Sequence, residues 1–153
     1  MKRTYLLLIM FFILPISSFS ADGFNFLERK ITFGSTTEDF LSIYPEFKIT
    51  NELSSETDKT FSYTIPGIDQ DHQIIFNVSF NNSGLNVFEM KSTVSDGSDQ
   101  NIINSILKQF KIIPAKKSDE EDIGDVVEEY KKGKLKAMAF SGGFFQLTIT
   151  LSN

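Results

Sequence analysis

Residues 72–94, HQIIFNVSFNNSGLNVFEMKSTV, decide the fold. Ile74, Phe76, Val78 and Phe80 recur at period two, which puts them on one face of a strand. Asn81-Asn82-Ser83-Gly84 then supplies residues that tolerate positive φ or bond their own backbone, so the chain reverses there. The return strand starts at Leu85 and carries Val87, Phe88, Met90 and Val94. Such a hairpin belongs at the centre of an antiparallel sheet, with the other elements around it.

Upstream, Phe61-Ser62-Tyr63-Thr64-Ile65 alternates as a half-buried strand, and Pro66-Gly67-Ile68-Asp69-Gln70-Asp71 turns it into the hairpin. Residues 46–60 are polar and read as loop. Lys30-Ile31-Thr32-Phe33 is a short strand, followed by Gly34 and by Ser35-Thr36-Thr37-Glu38, which has the form of a capping box with Ser35 as the cap. The helix it opens carries Phe40, Leu41 and Tyr44 and stops before Pro45. Ala21 to Leu27 reads as a mobile lead-in that Phe24, Phe26 and Leu27 can pin to the sheet.

Downstream, Asp96-Gly97-Ser98-Asp99 is a turn in which Ser98 or Asp99 caps a second helix. Ile102, Ile103, Ile106, Leu107 and Phe110 form its single apolar stripe. Three strands follow, over 126–131, 135–140 and 144–151, and in the last of these Phe145, Leu147, Ile149 and Leu151 share a face. The expected fold class is therefore α+β: one antiparallel sheet with two helices packed on one face, in the order β-(αβββ)-(αβββ). The matching order of the halves raises an internal duplication, although residue identity between them is nearly nil.

The first twenty residues have the form of a cleaved signal peptide. Lys2 and Arg3 precede the apolar run from Tyr5 to Leu14, Pro15 breaks it, and Ser18-Phe19-Ser20 offers a cleavage site before Ala21. The run is far shorter than the roughly twenty residues a bilayer span needs. The expectation is a single exported domain over 21–153, periplasmic or secreted and not inserted in the membrane. The sequence has no Cys, so neither disulfides nor a lipidated cysteine are available. Of its 15 basic residues two lie in the signal, leaving 13 against 20 acidic ones. That balance argues against nucleic acid or an anionic membrane as partner and permits a basic protein. The many Phe residues read first as sheet core and second as an aromatic surface or a Phe-lined cavity.

The segment from Ile31 to Phe40 joins a short strand, a glycine and a capped helix. It resembles the opening of small bacterial envelope proteins of the β-lactamase-inhibitor-like type, among them the small lipoprotein of the outer-membrane assembly machine. That resemblance implies a non-catalytic protein that binds others through helices packed on an antiparallel sheet. The chain departs from it in lacking a lipidation cysteine and in its long hairpin and second helix, and no functional residue carries over.

Catalytic constellations are hard to find. His72 is the single histidine and stands beside Asp69 and Asp71, too few ligands for a zinc site and most simply a solvated turn. Asp119, Glu120, Glu121, Asp122, Asp125, Glu128 and Glu129 form the densest charge cluster. Calcium takes such oxygens, but the alternating acids and fixed glycine of a calcium loop are missing. Paired carboxylates hydrolyse glycosides only across a cleft, and nothing marks one. A G-x-S-x-G elbow and a cysteine nucleophile are both absent. No cofactor is implied. The expected function is a non-enzymatic domain binding an envelope protein with a basic surface. Its expected interaction surface comprises Asp119, Glu120, Glu121, Asp122 and Asp125, with Asn81 and Asn82 in the hairpin turn. A small-molecule carrier is the alternative, and an envelope hydrolase using the acids or His72 a more distant one.

Overall fold

The structure is a computed structural model that describes residues 22–52, 58–66, 73–93, 98–114, 126–141 and 144–152. The expected signal peptide, the His72 turn and the acidic stretch 119–125 lie outside the described residues.

The hairpin expected to organise the chain does so. β5 (Gln73–Asn81) and β6 (Gly84–Ser92) pair antiparallel, and Ile74, Phe76, Val78 and Phe80 are all buried. The return strand departs from simple alternation. A bulge between Ser79 and Phe80 sets Phe80 opposite Leu85 but Ser79 opposite Val87. The inward residues of β6 are consequently Leu85, Phe88, Met90 and Ser92, and Val87 turns to the other face. Asn86, at the bulge, keeps a buried side-chain oxygen with no hydrogen-bond partner.

Around this pair the sheet extends in both directions. β3 (Lys48–Glu52) and β4 (Lys59–Pro66) lie on one side, while β10 (Phe145–Leu151), β9 (Leu135–Ser141), β8 (Val126–Lys132) and β7 (Lys111–Ile113) lie on the other. The spatial order is β3-β4-β5-β6-β10-β9-β8-β7, and every pairing is antiparallel. The class is α+β, as expected. Each helix is followed by four strands rather than three. The additional ones, β3 and β7, are edge strands of largely polar or very short sequence that carry little periodic signal.

A larger correction concerns residues 22–33. They form a second sheet, the hairpin of β1 (Gly23–Phe26) and β2 (Arg29–Thr32), rather than a lead-in and a lone strand. Leu27 and Glu28 make its turn with φ of 46° and 64°. Two consecutive positive φ values match the right-handed twist of the flanking strands, although neither residue favours that region. The hairpin lies on the inner face of the large sheet. Phe24 meets Phe88 at 5.1 Å between ring centroids, and Phe26 meets Phe76 at 4.7 Å and Phe88 at 5.3 Å. Both rings are about 1% exposed, so burial of large aromatic area holds the hairpin there.

Helix α1 (Thr37–Ile43) starts one residue later than the capping box implied. Thr36 is the cap, its Oγ1 accepting from the Asp39 N–H at 3.1 Å, while Ser35 Oγ donates back to the Thr32 carbonyl. Phe40 of α1 packs edge-on against Phe80 at 5.5 Å, and Tyr44 donates its hydroxyl to the Phe26 and Arg29 carbonyls. Arg29 in turn bonds Glu46 and lies over the Tyr44 ring at 4.4 Å. Helix α2 (Ser98–Leu107) buries Ile103 and Ile106, and Phe110 just beyond it reaches Phe24 at 6.0 Å. The Phe residues thus fill the space between hairpin, helices and sheet by packing on one another.

Candidate functional site

Of the expected interaction residues, Asn81 and Asn82 are described, and both are exposed at the tip of the β5–β6 turn. Asn81 is partly committed, because its Oδ1 accepts from the Ser83 N–H at 2.8 Å and shapes the turn. The turn is also held from beneath. The Gly34 N–H donates to the Leu85 carbonyl and the Leu85 N–H to the Ser35 carbonyl. Of the acidic cluster, Glu128 and Glu129 are described: Glu128 accepts the Tyr130 hydroxyl at 2.5 Å, and Glu129 pairs with Lys136 at 3.1 Å. Asp119, Glu120, Glu121, Asp122 and Asp125 lie outside the described residues. Among the described residues no three His, Cys, Asp or Glu side chains converge on a metal position.

The feature that composition did not reveal is the outer face of the large sheet. Direct cross-strand partners point to the same side, so the register defines rows running across the strands. The outermost row on one side is Thr64, Ile75, Lys91, Gln146, Phe140 and Val127. Next comes Ser62, Asn77, Glu89, Thr148, Met138, Glu129 and Ile113. A third holds Thr60, Ser79, Val87, Thr150, Lys136, Lys131 and Lys111.

The two ends of these rows differ in chemistry. Over β3–β5 the side chains satisfy one another: Ser62 donates to Asn77 at 2.5 Å, Thr60 and Ser79 hydroxyls meet at 3.3 Å, and Thr50 reaches Ser62 at 3.2 Å. Over β7–β9 the first two rows end mainly in apolar side chains, with Glu129 standing between Met138 and Ile113. Val127 and Phe144 are each 48% exposed, Met138 is 44% exposed, and Ile113 adjoins them. Phe144 stands just before β10, with its ring 5.2 Å from Phe140. Beside this patch, Lys111, Lys131 and Lys136 oppose each other directly on three adjacent strands. No described carboxylate forms an ion pair with Lys111 or Lys131.

On the inner side, α2 and β8 leave a groove of about 580 Å³ lined by Asn101, Asn104, Ser105, Leu107, Lys108 and Tyr130. β9 presents Leu135 and the small Ala137 and Ala139 to this side, all of them buried. Burial and the hydrogen bond to Glu128 push the Tyr130 phenol up to about 12, so the hydroxyl stays protonated and tied to that carboxylate.

Sequence reading missed the outer patch because its residues look like ordinary strand content. Val127 precedes two glutamates and Met138 stands between two alanines, and only the register brings them side by side. The available signal was negative: Val126-Val127 and Phe144-Phe145 are adjacent apolar pairs, and a strand can bury only one member of such a pair on a given face. Set against family models, curated proteins and solved structures, the chain matches none.

Proposed function

We propose that the protein is an exported, non-enzymatic α+β domain that binds another protein, with the outer face of β7–β9 as its docking surface. The observation that carries this reading is the patch of exposed Val127, Met138 and Phe144 around the half-buried Phe140, at one end of a sheet face whose other end carries mutually hydrogen-bonded polar side chains. Soluble monomers rarely leave such patches open, and partner sites are where they occur. Export rests on the form of residues 1–20. This reading takes both helices, with the β1–β2 hairpin, to cover the inner side, and so leaves the outer face to partners. The two αββββ units join through their last strands, β6 and β10, as two copies of one unit would across a two-fold axis normal to the sheet.

The test is cross-linked capture from envelope extract by the wild-type protein and by a Met138→Asp, Phe144→Asp variant. One partner captured by the wild type and lost in the variant is the expected result. Equal capture by both would count against this surface. A second reading, a small-molecule carrier, is favoured only by the groove beside α2. Thermal-shift screening would support it through a ligand whose effect vanishes on Tyr130→Ala.

A further inference from the structure

Three lysines of the outer face stand where a sheet least favours them. Lys111, Lys131 and Lys136 are direct neighbours across three strands, and like charges so placed repel one another. Glu129 relieves Lys136 alone. The apolar residues Ile113, Met138, Phe140 and Val127 follow immediately in the next two rows. The face is thus charged along one side and apolar along the other, on the same two or three strands. We propose that it receives an acidic amphipathic polypeptide segment of the partner, with its apolar side on Val127, Met138, Phe140 and Phe144 and its carboxylates against Lys111 and Lys131. This inference rests on the docking reading above and adds the partner's chemistry. It also reverses the expectation of a basic partner, which came from acidic residues elsewhere in the chain.

Two observations choose this occupant over its competitors. Strand addition at the sheet edge is disfavoured, because β7 is only three residues long, begins with Lys111 and is followed at once by Pro114. Short strands, lysine and proline are the devices that keep an edge from pairing. An anionic bilayer is disfavoured because the acidic run of the sequence leads directly into the strand bearing Val127, with Asp125 two residues ahead of it. Three lysines also fall short of the larger basic clusters that recognise anionic lipid. A polypeptide segment can carry its carboxylates on the lysine side alone.

The test is fluorescence anisotropy of a dansyl-labelled amphipathic peptide built from Leu and Glu, read against its Leu and Lys counterpart and against phosphatidylglycerol vesicles. The Leu/Glu peptide should bind, weaken with added salt, and bind about tenfold less tightly to a Lys111→Glu, Lys131→Glu variant. The Leu/Lys peptide should show the opposite preference. Both positions lie on an open face, and urea unfolding of the variant checks that it remains folded. Equal binding of the two peptides, indifference to the charge swap, or binding to vesicles without binding to the peptide would each overturn the proposal. Envelope capture separates this failure from that of the docking reading. Capture lost on Met138→Asp, Phe144→Asp but untouched by the lysine swap removes only the acidic partner. Capture untouched by either removes the docking surface itself.

Discussion

Replacing Gly84 with alanine tests how the β5–β6 turn is fastened to the rest of the domain. Gly84 has φ of +92°, and a Cβ built there would lie 2.5 Å from the Gly34 carbonyl oxygen, 2.6 Å from its carbon and 2.6 Å from the Ser35 oxygen. All three are backbone atoms, so no side chain can rotate away and the Gly34–Ser35 segment must retreat. Retreat stretches the two bonds that hold the turn, Gly34 N–H to the Leu85 carbonyl at 2.8 Å and Leu85 N–H to the Ser35 carbonyl at 2.9 Å. The positive φ costs an alanine about 1–2 kcal/mol, and each weakened backbone bond about 1 kcal/mol more. The expected loss is therefore about 3–4 kcal/mol, a large part of the roughly 5–15 kcal/mol that holds such a domain together. Urea unfolding followed by circular dichroism should show a lower midpoint with an unchanged slope. Asn82→Ala, in the same turn but exposed, is the control and should cost under about 0.5 kcal/mol. If Gly84→Ala loses less than about 1 kcal/mol, the contact with the Gly34–Ser35 loop does not constrain the turn and the reasoning fails.

Three further expectations address the core. Phe26→Ala should cost about 3–5 kcal/mol in the same assay, because the ring is 1% exposed and touches Tyr44, Phe76 and Phe88. Tyr44→Phe should cost about 1–3 kcal/mol by stripping a buried donor from the Phe26 and Arg29 carbonyls. The same variant has a pH signature. Burial pushes the Tyr44 phenol far above its usual range despite the opposing pull of Arg29, so the folded protein keeps a proton that the unfolded chain releases near pH 10. Stability from this group is intact below about pH 10 and falls by about 1.4 kcal/mol per unit above it. Unfolding measured at successive pH values should therefore decline less steeply in Tyr44→Phe than in the wild type. Arg29→Ala should cost only about 1 kcal/mol, since its partly exposed ion pair with Glu46 and its place over the Tyr44 ring are each modest. A thermal-melt comparison with Phe26→Ala should rank the two clearly.

What was legible in the sequence was what repeats. The alternation of Ile74, Phe76, Val78 and Phe80 and the Leu147–Ile149 pair survive as buried faces, as do Ile103 and Ile106 of the α2 stripe. What was hidden falls into two kinds. Some elements are specified by tertiary burial: the β1–β2 hairpin turns at Leu27-Glu28, residues with no turn preference, because Phe24 and Phe26 must both reach the large sheet. Others are properties of register. The bulge that puts Leu85 and Phe88 on one side, and the union of Met138 with Ile113 across Glu129, depend on pairings between distant segments that no single stretch encodes. The candidate surface belongs to the second kind, which is why the sequence pointed to the acidic run and the Asn81–Asn82 turn instead.

The position of β10 bears on how the chain is made. It is the last strand in sequence, yet it stands fourth from one end of the eight-stranded sheet, between β6 and β9, with Leu147 and Ile149 fully buried. Until residues 145–151 are made, β6 presents an open edge and nothing joins the four strands β3–β6 to the three strands β7–β9. Uniting the sheet therefore waits on residues 145–151, because the β6–β10 pairing joins segments far apart in sequence, and such non-local pairing is slow to form.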